Sequence, residues 1–197
     1  MYIARSPLRI SIGGGGTDLK SYYSKHNGSL ITAAIDKYVY VSINKPFINK
    51  IILKYSKIEN IEKISEISHP IIKEALNCFA NNLSRIEITT AADIPAGTGL
   101  GSSSSFTTAF LLGLASYLKE EISVKEIAER ACFIEIDRLK EPIGKQDQYI
   151  SAYGGLKKID FLKDGKVTVE DLDIKKETIE NFENSLCLFF TGFVRNA

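Results

Sequence analysis

Four places in this 197-residue chain hold residue types whose order could do chemistry. The first is Pro95-Ala96-Gly97-Thr98-Gly99-Leu100-Gly101, where three glycines alternate with other residues. Ser102, Ser103, Ser104 and Ser105 follow, ahead of an apolar run from Phe106 to Leu118. Glycines placed before a helix let the backbone approach a ligand closely. The free N–H groups of the helix start, together with its dipole, then favour an anion. A serine-capped helix after a flexible turn is the plainer alternative, but one serine is enough for a cap. Three spaced glycines and four hydroxyls fit a phosphate loop better. Two other phosphate signatures are missing: Gly144-Lys145 is followed by Gln146 and Gly165-Lys166 by Val167, so no G-x-x-x-x-G-K-[ST] occurs, and no G-x-G-x-x-G opens a helix after a strand.

Arg9 and Asp18 flank the second place, a turn of four glycines from Gly13 to Gly16. Arg9 would stand near the mouth of the loop as a fixed positive charge, and Asp18 would be an acceptor placed by a turn that needs no side-chain room. A surface ion pair beside a loose turn is the alternative. Glu135 and Asp147 are the third and fourth places. Glu135 sits late in a helix otherwise aimed at the core, where a lone carboxylate is more often an edge residue. Asp147 lies in Gly144-Lys145-Gln146-Asp147-Gln148-Tyr149, where a turn residue or a helix cap is the plain reading. Beside a phosphate loop both carboxylates gain meaning. A hard metal takes carboxylate and hydroxyl oxygens, and a substrate hydroxyl needs a nearby acceptor.

The elements that must position these residues follow from periodicity. Arg5 to Ile12, Leu30 to Ile35, Tyr38 to Asn44, Ile51 to Tyr55 and Ile86 to Thr90 read as strands. Leu19 to His26 is a short helix closed by Asn27-Gly28. Lys57 to Ser68 is charged and low in complexity, and reads as a solvated surface segment. Pro70 to Leu83 has helical spacing with proline in its first turn. The run from Phe106 is a buried helix. Ser123-Val124-Lys125-Glu126 is a capping box for a helix with Val124, Ile127, Ala128, Ala131, Cys132 and Ile134 inward, ended by Glu141-Pro142. Strands near Leu156 to Phe161 and Val167 to Asp171, a polar segment, and a strand from Leu186 to Phe190 complete the chain. The fold class is α+β.

Composition narrows the partners. A net charge of +1 gives no footprint for nucleic acid or an anionic membrane. No apolar run reaches spanning length, and Met1-Tyr2-Ile3-Ala4-Arg5 lacks a signal-peptide core. Cys78, Cys132 and Cys187 are odd in number and far apart, consistent with buried thiols in a reducing cytoplasm. His26 and His69 are isolated and make no metal cluster.

Pro-x-Gly-x-Gly-Leu-Gly-Ser-Ser-Ser resembles the ATP-binding motif of the GHMP kinases. Arg-Ser-Pro-Leu-Arg-Ile-Ser-Ile-Gly-Gly-Gly-Gly-Thr-Asp resembles that family's first motif, closest to its sugar-1-kinase branch and the heptose 7-phosphate kinases within it. The resemblance implies an N-terminal kinase domain, a mixed sheet packed with helices, over residues 1–184. It makes 185–197 the start of a second domain that is otherwise lacking. It implies ATP and Mg2+ as cofactors, with Pro95, Gly97, Gly99, Leu100, Gly101, Ser102, Ser103 and Ser104 around the nucleotide and Ser103 with Glu135 on magnesium. Asp147 becomes the catalytic carboxylate and Arg9 the assisting cation. Gly15, Gly16, Thr17, Asp18 and Arg195 fall at the sugar. In galactokinase a Glu-His pair stands where this chain has Gly15 and Gly16. Loss of that Glu leaves room for a larger or anionic sugar, with Lys20, Lys37, Lys145 and Arg195 as candidate cations. The implied reaction is phosphorylation of the anomeric hydroxyl of a heptose 7-phosphate, for nucleotide-activated heptose and surface polysaccharide. A fucose- or galactose-type kinase, or a silent nucleotide- or sugar-binding fragment, are the alternatives. The expected partner is a small-molecule sugar or sugar phosphate in the cytoplasm, with a homodimer left open.

Overall fold

In a computed structural model, residues 1–189, 191 and 192 are described. Among them one sheet of seven strands carries the chain: β1 (Tyr2–Gly13), β2 (Gly28–Asn44), β3 (Ile51–Lys54), β4 (Ile58–Ile61), β5 (Ile86–Ala92), β6 (Leu156–Phe161) and β7 (Val167–Asp171). β3 and β5 pair in parallel, and every other pairing is antiparallel. β2 is the axis. β1 runs along one of its edges, while β5 (opposite residues 39–44) and β6 (opposite residues 28–33) share the other. The sheet is therefore mixed, as expected.

Alternation decides which face is covered. Ala4, Ser6 and Leu8 of β1, Val39, Val41 and Ile43 of β2, Ile86 and Ile88 of β5, and Ile51 and Leu53 of β3 are buried, and their neighbours along each strand are not. Onto that face pack α3 (Ser102–Leu118) and α5 (Gln146–Tyr153), with α4 (Val124–Cys132) lying on both. α3 is buried on nearly every side from Ser104 to Ala115, which explains its apolar run. At Gly113 it comes so close to the sheet that an added Cβ would meet Ile43 Cδ1 at 3.2 Å. α2 (Pro70–Phe79) adds Ile71, Ile72, Ala75 and Leu76 to the core, α1 (Lys20–His26) buries Tyr23, and α6 (Lys176–Asn184) buries no residue. Among the described residues no helix is long and apolar enough to cross a membrane.

Several expectations are corrected. The strands expected at Leu30 to Ile35 and Tyr38 to Asn44 are one strand, β2. Pro7 pairs with Tyr38 and Arg9 with Ala34, so β2 carries two extra residues opposite Leu8, and the polar Asp36-Lys37 pair sits in that bulge. The segment Lys57 to Ser68 contains β4 and a 3-10 turn, Ile64–Glu66, and buries Ile64 and Ile67 beneath its charges. Val124 is 48% exposed: it follows the Ser123 cap at the first, outward position of α4, whereas Ile127, Ala128, Ala131 and Cys132 do point inward. Both arms of the capping box are present, Ser123 Oγ accepting from Glu126 N and Glu126 Oε2 accepting from Ser123 N. Cys132 is buried, but Cys78 is only half-buried and Cys187 is exposed. α5 lies where only a bend was expected, and α6 where only a polar segment was. Residues 186–189 carry no strand, and the rest of that expected strand lies outside the described residues.

Candidate active site

The site is built where α3 and α5 begin. Gly101 precedes α3 at φ 75°, and Gly97 and Gly99 are at 78° and 76°. Thr98 and Leu100 between them are not among the positive-φ residues. Alternating hand along a backbone turns successive N–H groups toward one concavity, which suits an anion, and the start of α3 adds its own free N–H groups. Leu100 packs against the core, and Thr98 Oγ1 donates to Pro95 O at 3.2 Å. β1 fixes the loop twice: Arg9 N donates to Leu100 O at 3.0 Å and Arg9 Nη1 donates to Gly99 O at 2.7 Å.

The same arginine grips Asp147. Arg9 Nε donates to Asp147 Oδ1 at 2.6 Å and Nη2 donates to Oδ2 at 2.7 Å, a two-pronged ion pair across 138 residues of sequence. Both side chains stay partly open, at 16% and 25%. An added Cβ on Gly101 would lie 3.1 Å from Asp147 Oδ2 and 3.3 Å from Arg9 Cγ. The carboxylate, the guanidinium and the loop therefore share one small volume.

Asp18 arrives from the glycine turn. It is 7% exposed, accepts from Gly16 N at 3.2 Å through Oδ1, and accepts from Gln146 N at 3.0 Å through Oδ2. It thus serves a free N–H in the first turn of α5, one residue before Asp147. Thr17 Oγ1 donates to Gly14 O and accepts from Ser29 N, so that hydroxyl ties the turn to β2. Gly15 and Gly16 are exposed beside it. A Cβ on Gly144 would overlap Asp18 Oδ2. Gly144→Ala should therefore push Asp18 off Gln146 N and lower stability by about 1–3 kcal/mol. Thermal unfolding would check this; an unchanged midpoint would show that Asp18 can leave Gln146 N without cost.

Glu135 is wholly buried in a π-helical turn, Phe133–Arg138, that continues α4. Leu139 N reaches back to Ile134 O there, the five-residue step of a π turn. Burial pushes the Glu135 carboxyl above the usual range, and hydrogen bonds from Ser104, Gln148, Ser103 and Thr107 oppose that rise. Ser103 Oγ (2.9 Å) and Thr107 Oγ1 (2.9 Å) donate to Oε1; Ser104 Oγ (2.7 Å) and Gln148 Nε2 (2.5 Å) donate to Oε2. Ser104, expected beside the nucleotide, is 2% exposed with its hydroxyl on Glu135, so its side chain faces inward. Ser102 and Ser103 remain accessible. Among the described residues no three His, Cys, Asp or Glu gather at one point.

The structure thus brings together Arg9, Asp18, Gly97 to Ser104, Glu135 and Asp147. Pro95 opens the loop at the surface, and Arg195 lies outside the described residues. Lys145 Nζ donates to Gly165 O at 2.8 Å and lies over the Tyr23 ring, while Lys20 and Lys37 are exposed. Sequence reasoning missed Thr107, Gln146 and Gln148. The two glutamines flank Asp147, and their complete burial has no signature in a polar run.

Residues 70–155, which span α2, the loop, α3, Glu135 and α5, match the family model for the N-terminal domain of GHMP kinases. The chain resembles the GHMP kinases over these residues. It is 30% identical to a D-glycero-alpha-D-manno-heptose 7-phosphate kinase of Campylobacter jejuni over 98% of its own length and 60% of that protein. It is 31% identical to a mevalonate kinase of Methanothermobacter thermautotrophicus over 75% of its own length and 51% of that one. A solved D-glycero-D-manno-heptose 1-phosphate kinase from Bacteroides thetaiotaomicron superposes with a TM-score of 0.87 at 26% identity, covering 94% of this chain and 64% of that one. This chain therefore spans about three fifths of the length of the heptose kinases it matches.

Proposed function

We propose that this chain serves an ATP-dependent sugar kinase that phosphorylates the anomeric hydroxyl of a heptose 7-phosphate, feeding nucleotide-activated heptose and surface polysaccharide. The observation that carries the reading is the Arg9–Asp147 pair set against the Gly97–Gly101 loop, with Asp18 held one residue away on the same helix turn. Likeness to two heptose kinases supports the sugar, although one is named for a 7-phosphate substrate and the other as a 1-phosphate kinase.

Each residue has a physical part. The loop N–H groups and the start of α3 receive the phosphates. Asp147 accepts from the attacking hydroxyl and orients it, and Arg9 both aims Asp147 and offsets charge developing on the transferred group. Asp18 holds a sugar hydroxyl. Hard oxygens at Ser103 and Glu135 suit magnesium, with nucleotide phosphates and water completing its shell. Bound there, Mg2+ would neutralise phosphate charge. The turn at Gly15 and Gly16 presents no carboxylate beside Asp18, so a phosphorylated sugar meets no added repulsion.

A competition assay tests the substrate. The enzyme should favour heptose 7-phosphate over galactose or fucose in kcat/KM by at least about tenfold, less so at high salt. Equal kcat/KM for these sugars would move the reading to a neutral-sugar kinase.

A further inference from the structure

α5 opens with three consecutive residues that reach three separate parts of the site. Gln146 gives its backbone N–H to Asp18 and its side-chain amide to Thr32 Oγ1. Asp147 takes Arg9. Gln148 crosses to Glu135 Oε2 at 2.5 Å, and the reaction described above assigns it nothing.

Gln148 is wholly buried. Of the four side chains that donate to Glu135, Ser103, Ser104 and Thr107 all stand on α3, and Gln148 alone comes from another element. Its own Oε1 has no protein donor among the described residues. Only the donor half of the amide is engaged, and it is engaged with a carboxylate. A glutamine kept in such a place fixes where that carboxylate stands relative to α5, which three bonds to α3 cannot do.

We propose that Gln148 is a positioning residue for the cation: its Nε2–H holds Glu135 Oε2, so that the carboxylate and Asp147 keep one fixed relation across α3 and α5. This rests on the reading that Glu135 and Ser103 receive Mg2+. When Ser103 Oγ turns to the cation it ceases to donate to Oε1. Gln148 and Ser104 still grip Oε2, and Thr107 still grips Oε1, so the carboxylate does not swing. Partners of this outer kind change metal affinity by about 10- to 100-fold when removed.

The test is the Mg2+ dependence of ATP binding, followed by calorimetry on the purified protein. Gln148→Met keeps the volume and removes the donor. It should raise the Mg2+ concentration for half-maximal ATP binding about tenfold or more and leave ATP affinity in EDTA unchanged. Ser151→Ala, which removes a buried hydroxyl on the same helix that bonds Ser105, controls for loosened packing and should not move the Mg2+ midpoint. If Gln148→Met does not fold, Gln148→Asn retains the amide on a shorter stem and should shift the midpoint in the same direction. A midpoint within about twofold of the parent in a folded Gln148 variant overturns the proposal. Glu135→Gln separates the two readings. If it moves the midpoint and the Gln148 variants do not, only the role of Gln148 falls. If it does not move the midpoint, the cation site itself is misplaced and the proposal falls with it.

Discussion

Asp147→Asn should lower kcat by about 10²–10⁴, the range of a positioned acid–base group, with ATP affinity essentially unchanged. Asparagine keeps the shape but replaces one carboxylate oxygen by an NH2 donor. That NH2 would face the Arg9 guanidinium, where Oδ1 and Oδ2 now accept at 2.6 and 2.7 Å. One prong of the pair is lost, and so is the charge that the substrate hydroxyl needs. The phosphate loop keeps its other ties to Arg9, through Leu100 O and Gly99 O, so nucleotide binding should survive. Steady-state rates with a parallel nucleotide titration would decide it. Near-normal turnover would make Asp147 a helix-start residue and no more.

Gly101→Val should weaken ATP binding by about 30- to 1000-fold. Gly101 sits at φ 75°, where a β-branched side chain is strained. Its Cβ would also press on Asp147 Oδ2 and Arg9 Cγ, at 3.1 and 3.3 Å. Strain and crowding together reach about 2–4 kcal/mol, and relieving them moves the N–H groups at the start of α3. That energy corresponds to a loss of about 30- to 1000-fold in affinity. Calorimetric titration with ATP measures it directly. Unchanged affinity in a folded variant would remove the Pro95–Ser105 loop from the nucleotide.

How much of this was legible differs residue by residue. The loop could be read because its glycines and serines are local: one short stretch holds the whole signal. Arg9, Asp18, Glu135 and Asp147 could be picked out by type and order. Their pairing could not, since the Arg9–Asp147 contact depends on β1 and α5 meeting across the fold. Gln148 stayed invisible because a glutamine among polar residues gives no sign of burial. The start of α5 looked like a bend because Pro142 and Gly144 precede a helix whose two faces hardly differ in polarity. The π turn left no mark at all, since a widened turn has the same residues as a regular one. β2 was cut in two by Asp36-Lys37, where polarity marks a bulge and not an end.

The Arg9–Asp147 and Asp18–Gln146 contacts span 138 and 128 residues of chain. Closing loops of that length comes late in folding, after local helices and hairpins have formed. The glycine loop and Asp147 are both fastened to Arg9 of β1. A partly folded chain can therefore contain α3, and even the glycine loop, without a competent site. The assembled Arg9–Asp147 and Asp18–Gln146 contacts should appear together with the final cooperative step. Refolding followed by ligand capture would consequently report completion of the whole domain, whereas circular dichroism would report its parts.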